Sequence, residues 1–191
     1  MRQGLTFIYG DMGSGKSLHG VLDAYIAYSL GHKVYSNMKS LRVPHEFVDL
    51  WTLLEEAEHP RLGGQEKKFM LLDEVQTIAD GYAPPSNPYI RKLRILFSQF
   101  RKRHINLDYI SQFSTGPHYS LRHLTNNLIA CDAIYNFGED EPIRIDYYWT
   151  ELKRHGMSKM RHGAYSWTRD MFTFLYPLYD TFEITEAPTI E

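Results

Sequence analysis

The chain has 191 residues, of which 43% are hydrophobic and 23% charged, which is enough to bury the core of one globular domain spanning 1–191. Its formal charge of −2 excludes a generally basic nucleic-acid-binding protein, although a local basic patch is compatible with it. No apolar run approaches the ~20 residues of a membrane helix, and the start of the chain lacks the features of a signal peptide. The single cysteine, Cys131, excludes an internal disulfide, so an intracellular protein is expected.

The first half of the chain alternates short apolar segments with amphipathic ones. Strands are predicted at 5–9, 33–36 and 69–72, because each is short, apolar and rich in strand-forming residues. Helices are predicted at 17–30 and 50–58, where apolar residues recur every three or four positions.

The second half continues this alternation and then changes character. A basic amphipathic helix is predicted at 89–104, followed by strands at 107–110 and 128–135. Aromatic, alternating segments at 143–149 and 171–176 predict antiparallel strands. Because strands separated by helices form parallel sheets with both faces covered, the expected fold class is α/β. The predicted architecture is a three-layer sandwich whose mainly parallel central sheet carries antiparallel edge strands near the C-terminus.

The segment Gly-Asp-Met-Gly-Ser-Gly-Lys-Ser at 10–17 fits the phosphate-loop pattern G-x-x-x-x-G-K-[ST], between a predicted strand and a predicted helix. Glycines allow the backbone N–H groups to point inward at phosphates, and the start of the helix adds its positive dipole end. Lys16 is expected to reach the β- and γ-phosphates, and Ser17 to bind Mg²⁺. The alternative is a glycine turn with a chance lysine. The predicted nucleotide-binding residues are Gly10, Asp11, Met12, Gly13, Ser14, Gly15, Lys16, Ser17 and Leu18.

Two further predicted strands end in polar residues that suit phosphate chemistry. Asp73 is expected to hold Mg²⁺, and the adjacent Glu74 to accept a proton from the attacking water. Gln112 follows the strand at 107–110, where a neutral amide can orient that water without competing for Mg²⁺. Since ligands bind at the carboxyl ends of parallel strands, the three side chains are expected to lie at one edge of the sheet.

Basic residues cluster in two places, and a solvated surface is the alternative interpretation for most of them. Arg101 and Arg103 precede the strand that ends at Gln112, and we expect them near the sheet edge that holds the nucleotide. There a neighbouring subunit can use one of them as an arginine finger. The sites considered for DNA binding are Arg91, Lys92, Arg94, Lys153, Arg154, Lys159 and Arg161.

The segments 10–17, 69–74 and 108–112 together resemble the FtsK/HerA superfamily of P-loop ATPases. The resemblance is closest to small viral genome-packaging ATPases and to the zonula-occludens-toxin-like assembly proteins of filamentous phages, with support from 36–38, 101–104 and 178–181. It implies a P-loop NTPase fold, ATP and Mg²⁺ as cofactors, double-stranded DNA bound without sequence specificity, and a homo-oligomeric ring with six subunits as the default. The phage assembly proteins are expected to have a transmembrane segment, and its absence here favours the packaging branch.

The function expected from these features is an ATP-hydrolysing DNA translocase that fills a viral capsid. Its location would be the host cytoplasm or the virion, with capsid or membrane-associated viral proteins as possible partners. The alternatives are a phage assembly and export ATPase, and a small P-loop kinase whose lid would be the basic stretch at 149–167. A GTPase is disfavoured because the chain has no obvious N-K-x-D segment to recognise guanine, so adenine is preferred by default.

Overall fold

A computed structural model describes residues 4–55, 66–100, 103, 105–139, 141–152 and 161–179. The strands are β1 (Leu5–Tyr9), β2 (Lys33–Ser36), β3 (Glu46–Phe47), β4 (Lys68–Leu72), β5 (Ile105–Ser111), β6 (Asn127–Tyr135), β7 (Pro142–Glu151) and β8 (Arg161–Thr168). The helices are α1 (Lys16–Ser29), α2 (Leu50–Glu55), α3 (Pro88–Phe100), α4 (Tyr119–Arg122) and α5 (Arg169–Phe172), with 3₁₀-helices at Val75–Thr77 and Thr173–Leu178.

Across these ranges the strands form one eight-stranded sheet in the order β3-β2-β4-β5-β1-β6-β7-β8. Strands β1 to β6 pair in parallel, and β7 and β8 add to β6 as an antiparallel hairpin. The predicted mixed sheet with antiparallel strands near the C-terminus is therefore confirmed. Strand β1 lies between β5 and β6, so the loop that follows it emerges in the middle of the sheet.

Helices cover both faces of the sheet and give the predicted three layers. In β4, Met70 and Leu72 point to the face covered by α2, α3 and α4, whereas Phe69 and Leu71 point to the face covered by α1 and α5. All four side chains are fully buried, which explains why the strand is continuously apolar. Helix α1 packs closely on β4 because Gly20 has no side chain, since a Cβ atom there would come within 2.5 Å of Leu71.

The strand predicted at 171–176 is wrong. This segment is helical, and the strand that pairs with the outer side of β7 is β8, within a stretch where no strand is predicted from the sequence. Phe172 and Leu175 are three positions apart and both fully buried, which is the spacing of a helix face. In β8, by contrast, Tyr165 and Trp167 are half-buried and alternate with exposed residues, as the side chains of a strand do.

The other predicted elements lie close to their predicted positions, whereas β3 and α4 were not predicted. Helix α3 is described as far as Phe100; residues 101, 102 and 104 of the helix predicted at 89–104, and the last part of the helix predicted at 50–58, lie outside the described residues. No helix within the described ranges combines the length and apolarity needed to cross a bilayer.

Candidate functional site

The loop between β1 and α1 has the backbone that the phosphate-loop pattern predicts. Gly10 and Gly15 both have positive φ angles, of 156° and 85°. A Cβ atom at Gly10 would lie 2.3 Å from the carbonyl oxygen of Cys131, so only glycine fits between the loop and β6. Gly15 caps α1 and has no side chain to bond the N–H groups of the first turn. Those N–H groups are available to an anion.

Two side chains of the loop fit a phosphate ligand as well. Ser14 Oγ is buried and has no hydrogen-bond partner among the described residues. Lys16 is also buried, and its Nζ donates a hydrogen bond to the carbonyl oxygen of Asp11 at 2.6 Å. Burial lowers the pKa of Lys16, while the nearby Asp73 and Glu74 act in the opposite direction. A phosphate group would give this ammonium an anionic hydrogen-bond partner in addition to that neutral carbonyl.

Ser17 and Asp73 lie together at the centre of the site. Ser17 Oγ donates to Asp73 Oδ2 at 2.9 Å, although the two residues are 56 positions apart in sequence. The other carboxylate oxygen, Oδ1, accepts a hydrogen bond from the Glu74 N–H at 2.8 Å. Burial raises the pKa of Asp73, and these two hydrogen bonds oppose that shift. A hydroxyl and a carboxylate side by side are hard oxygen donors, which fit Mg²⁺.

Asn37 positions Asp73 and was not predicted as a site residue. Its Nδ2 donates to the Asp73 carbonyl oxygen at 2.9 Å, and its Oδ1 accepts from the Asp73 N–H at 2.8 Å. Asn37 is itself buried at the end of β2, the strand next to β4. An asparagine directly after a predicted strand was the signal that the sequence offered for this role. In the sequence analysis it contributed only to the family resemblance of 36–38.

Glu74 is held between two amide side chains. Gln76 Nε2 donates to one carboxylate oxygen at 2.9 Å, and Gln112 Nε2 donates to the other at 3.3 Å. The structure thus brings Gln112 to Glu74, the residue predicted to act as the base. Gln76 was not predicted, because nothing in the sequence distinguishes it from an ordinary polar residue in a connection.

Glu74 also has an unusual backbone conformation. Its φ of 55° and ψ of 36° make it the single non-glycine residue with positive φ in the described part of the chain. The left-handed conformation is unfavourable for a residue with a Cβ atom. Strain of this kind concentrates at functional sites, where surrounding contacts enforce it. Here those contacts include Thr77, whose N–H and Oγ1 both donate to the Glu74 carbonyl oxygen.

The connections that follow β4 and β5 are joined to each other beyond the site. Gly81 N–H donates to the Gly116 carbonyl oxygen at 2.7 Å, and His118 N–H donates to the Ala79 carbonyl oxygen at 2.7 Å. Gly81 packs so tightly that a Cβ atom would lie 2.3 Å from the carbonyl oxygen of Thr115. The connections 73–87 and 112–118, which carry Glu74 and Gln112, are therefore two arms of what we call the connected unit.

Arg103 was predicted to lie at the edge of the sheet that holds the nucleotide. Within its own chain this prediction is wrong. Arg103 precedes β5, whose Ile105 pairs with the first residue of β4. The loop lies at the other end, where Ser111 of β5 pairs with Tyr9. Because parallel strands all begin at the same edge, Arg103 lies at the edge opposite the loop, where its guanidinium donates to Gln99. Arg101 lies outside the described residues, as do Lys153, Arg154 and Lys159.

No protein-family model matches this sequence, and no curated protein matches it. Solved structures do share the fold. The N-terminal domain of zonular occludens toxin from Neisseria meningitidis is 18% identical, with a TM-score of 0.61 over 94% of this chain and 100% of that one. The flagellar accessory protein FlaH from Methanocaldococcus jannaschii is 14% identical, with a TM-score of 0.53 over 83% and 84%. A third solved structure, an ATPase domain, is 11% identical, with a TM-score of 0.62 over 95% and 85%.

The fold and the site together define the class of this protein. It has the α/β fold of a P-loop NTPase, with the phosphate loop after the central strand β1 and Asp73 at the end of β4. The three structural neighbours agree with that fold.

Proposed function

We propose that this protein is a Mg²⁺-dependent ATPase. The observation that carries the proposal is Glu74, whose carboxylate follows the Mg²⁺-binding candidate Asp73 and is held by Gln76 and Gln112. In this role Glu74 accepts the proton of the attacking water, and Gln112 orients that water. The residues at 10–18 hold the triphosphate, and Ser17 and Asp73 hold Mg²⁺, which when bound neutralises charge on the phosphates.

Glu74 and Gln112 also make a kinase the weaker candidate. A kinase transfers the phosphoryl group to a substrate hydroxyl and must keep water away from it. Glu74 and Gln112 instead provide a carboxylate and an amide, the pair that activates and orients water. The basic 149–167 stretch, considered as a kinase lid, includes β8, a regular strand of the sheet that Arg161 and His162 begin.

The test compares ATP binding and hydrolysis in matched variants. Glu74→Gln keeps the side-chain volume and removes the base, so nucleotide should still bind while turnover falls by at least about 100-fold. Lys16→Ala should weaken binding itself. The control is Glu46→Gln, which makes the same chemical change at an exposed carboxylate that pairs with Lys33 on the outer strands. Equal turnover in Glu74→Gln and Glu46→Gln would refute the catalytic role.

We further infer that this ATPase acts on DNA. The distribution of charge along the chain supports that inference. Between Gly81 and Cys131 the chain has seven Lys and Arg residues and a single acidic residue, Asp108, which is buried. This part therefore carries a formal charge of +6 within a chain of −2. Arg91 and Arg94 are exposed on α3. A DNA translocase, in particular a viral genome-packaging motor in the host cytoplasm or the virion, fits this asymmetry.

The connected unit beyond the site gives DNA a route to affect hydrolysis. Its arms begin at Glu74 and Gln112. Its far end reaches the basic helices, because His118 caps the start of α4, which carries Arg122 and packs against α3. The exposed rings of Tyr82 and Phe113 are on the same unit. DNA bound to this surface can therefore change how the two amides hold Glu74.

The DNA proposal is tested by charge reversal. Arg91→Glu with Arg94→Glu should weaken binding of duplex and single-stranded DNA, reduce its salt dependence and abolish DNA stimulation of the ATPase. The control pair, Lys39→Glu with Arg42→Glu, makes the same charge change at exposed positions on the other face. Unchanged DNA affinity in the α3 pair would exclude this surface.

We also propose that the active unit is a homo-oligomeric ring, with six subunits as the default. Because Arg103 lies at the far edge of its own sheet, it can serve as an arginine finger only for a neighbouring subunit, and we propose the same role for Arg101, two residues earlier in the sequence. A finger in trans contributes about 10³-fold or more to turnover. Mixing Glu74→Gln with an Arg101→Ala, Arg103→Ala variant should restore partial activity. Normal turnover by the arginine variant alone would refute the role.

A phage assembly and export ATPase is the second candidate. The observation that favours it is the similarity to the zonular occludens toxin domain, all of which this chain covers. In an infected cell the two functions separate by location, because an export ATPase fractionates with the envelope and a packaging motor with capsids.

A further inference from the structure

Strands β6 and β7 extend well beyond the end of β1. Tyr9, the last residue of β1, pairs with Ala130, whereas β6 continues for five more residues to Tyr135. At about 3.3 Å per residue, this part of β6 reaches about 17 Å beyond β1. We call the part of β6 and β7 beyond Ala130, together with residues 136–139 and 141 of the turn between the two strands, the overhang. It lies along the flank of the phosphate loop that faces away from β5.

The overhang contacts the phosphate loop directly. Tyr135 OH donates to the Gly13 carbonyl oxygen at 3.0 Å, and Tyr147 OH donates to the Gly15 carbonyl oxygen at 3.3 Å. Ile145 packs so closely that a Cβ atom at Gly15 would lie 2.7 Å from it. The position of the overhang relative to bound phosphates is therefore fixed.

The turn of the overhang presents aromatic side chains to solvent. Phe137 is fully exposed, and Tyr135 is 43% exposed although its hydroxyl is bonded to the loop. Arg169 of α5 holds the turn: its guanidinium donates to the Pro142 and Glu141 carbonyl oxygens at 3.2 and 2.9 Å and also pairs with Glu139. An exposed ring on an anchored turn beside a ligand site is suited to contact part of the ligand.

The position of the reactive groups determines which part of the ligand that is. Glu74 and Gln112 follow β4 and β5, so the terminal phosphate must face that side of the loop. The nucleoside end of the triphosphate then extends to the opposite flank, where the overhang lies. We propose that Phe137, with the ring of Tyr135 beside it, forms the surface on which the nucleobase stacks. This inference rests on the proposed ATPase function, because it assumes that the loop binds a nucleoside triphosphate.

Stacking has a consequence for specificity. Every base has a π-face, so an aromatic surface binds purines without distinguishing their hydrogen-bonding edges. ATP and GTP should therefore bind with dissociation constants within about 10-fold of each other. This would make the protein a hydrolase that accepts both purine nucleotides, although the sequence favours adenine by default.

The test compares MgATP with inorganic tripolyphosphate, which has the phosphates but no base. In Phe137→Ala the Kd for ATP should rise by about 5- to 100-fold, while the Kd for tripolyphosphate stays the same. Phe137→Trp should retain ATP affinity, and ATP but not tripolyphosphate should quench the new indole fluorescence. The control is Phe47→Ala, which removes an exposed ring at the opposite end of the sheet.

The outcomes separate this inference from the proposed function. If Lys16→Ala weakens ATP binding but Phe137→Ala does not, the stacking surface is refuted and the ATPase stands. Equal loss of ATP and tripolyphosphate in Phe137→Ala would mean that the ring supports the loop rather than the base, which also refutes the inference. A change in oligomeric state with unchanged ATP affinity would assign Phe137 to a subunit contact. If the wild-type chain binds no nucleoside triphosphate, both proposals fail.

Discussion

The left-handed backbone at Glu74 gives a prediction about stability that does not depend on activity. A residue with a Cβ atom in this conformation costs about 1–2 kcal/mol relative to glycine. Glu74→Ala and Glu74→Gly lose the same hydrogen bonds to Gln76 and Gln112, so comparing these two variants isolates the backbone strain. Glycine gains more entropy in the unfolded chain, which offsets about 0.4–1 kcal/mol. Glu74→Gly should therefore be more stable than Glu74→Ala by about 0.5–1 kcal/mol.

The assay is urea unfolding of both variants, supported by thermal melts in which this difference is about 1–4 °C for a chain of this size. The matched control makes the same pair of changes at Ser98, an exposed residue of α3. In a right-handed helix the order must reverse, with Ser98→Gly about 1 kcal/mol less stable than Ser98→Ala. If Glu74→Gly is no more stable than Glu74→Ala while the Ser98 pair behaves as expected, Glu74 is not strained.

Other positions give independent tests. Asn37→Ala should lower the free energy of unfolding by about 2 kcal/mol, because it leaves the Asp73 N–H and carbonyl without partners, and should reduce Mg²⁺-dependent hydrolysis more than the partly exposed control Asn87→Ala. Burial raises the pKa of Cys131 to about 12, so at pH 8 it should react with a thiol reagent about 10³-fold more slowly than in the urea-unfolded chain; equal rates would contradict its burial. Gly20→Val should destabilise the fold by about 2 kcal/mol, which a melt would show, because its side chain would collide with Leu71.

Local pattern was sufficient to predict most of the sheet. Residues 69–72 are apolar without interruption because both faces of β4 are covered, and the phosphate loop needed only its glycines and its place after a strand. The error at 171–176 arose because closely spaced aromatic residues occur both on strands and on the buried side of short helices. Phe172 and Leu175 are three residues apart, and this spacing carried the helical signal.

The candidate site was less predictable where it depends on pairs of segments. Asp73 and Gln112 could be proposed because each directly follows a strand, and Glu74 because it is next to Asp73. The contribution of Asn37 depends on the pairing of β2 with β4, and that of Gln76 on the left-handed turn at Glu74. The placement of Arg103 failed for a related reason: proximity in sequence to the strand of Gln112 says nothing about which end of that strand is near the ligand.

Burial of Lys16 and Asp73 at the phosphate loop lowers the stability of the fold, and ligand binding can reverse this effect. Burial lowers the pKa of Lys16 and raises that of Asp73, so folding disfavours the charged form of both groups. For Asp73 the sign is clear: the folded state retains its proton to higher pH than the unfolded chain, so its ionised form costs stability once the pH exceeds the ordinary range of a carboxyl. Triphosphate would bring further negative charge to Lys16, and Mg²⁺ further positive charge to Asp73. Bound nucleotide should therefore stabilise the fold as RT ln(1 + [L]/Kd), which at 100 times Kd is about 2.7 kcal/mol, and Lys16→Ala should lose most of that gain.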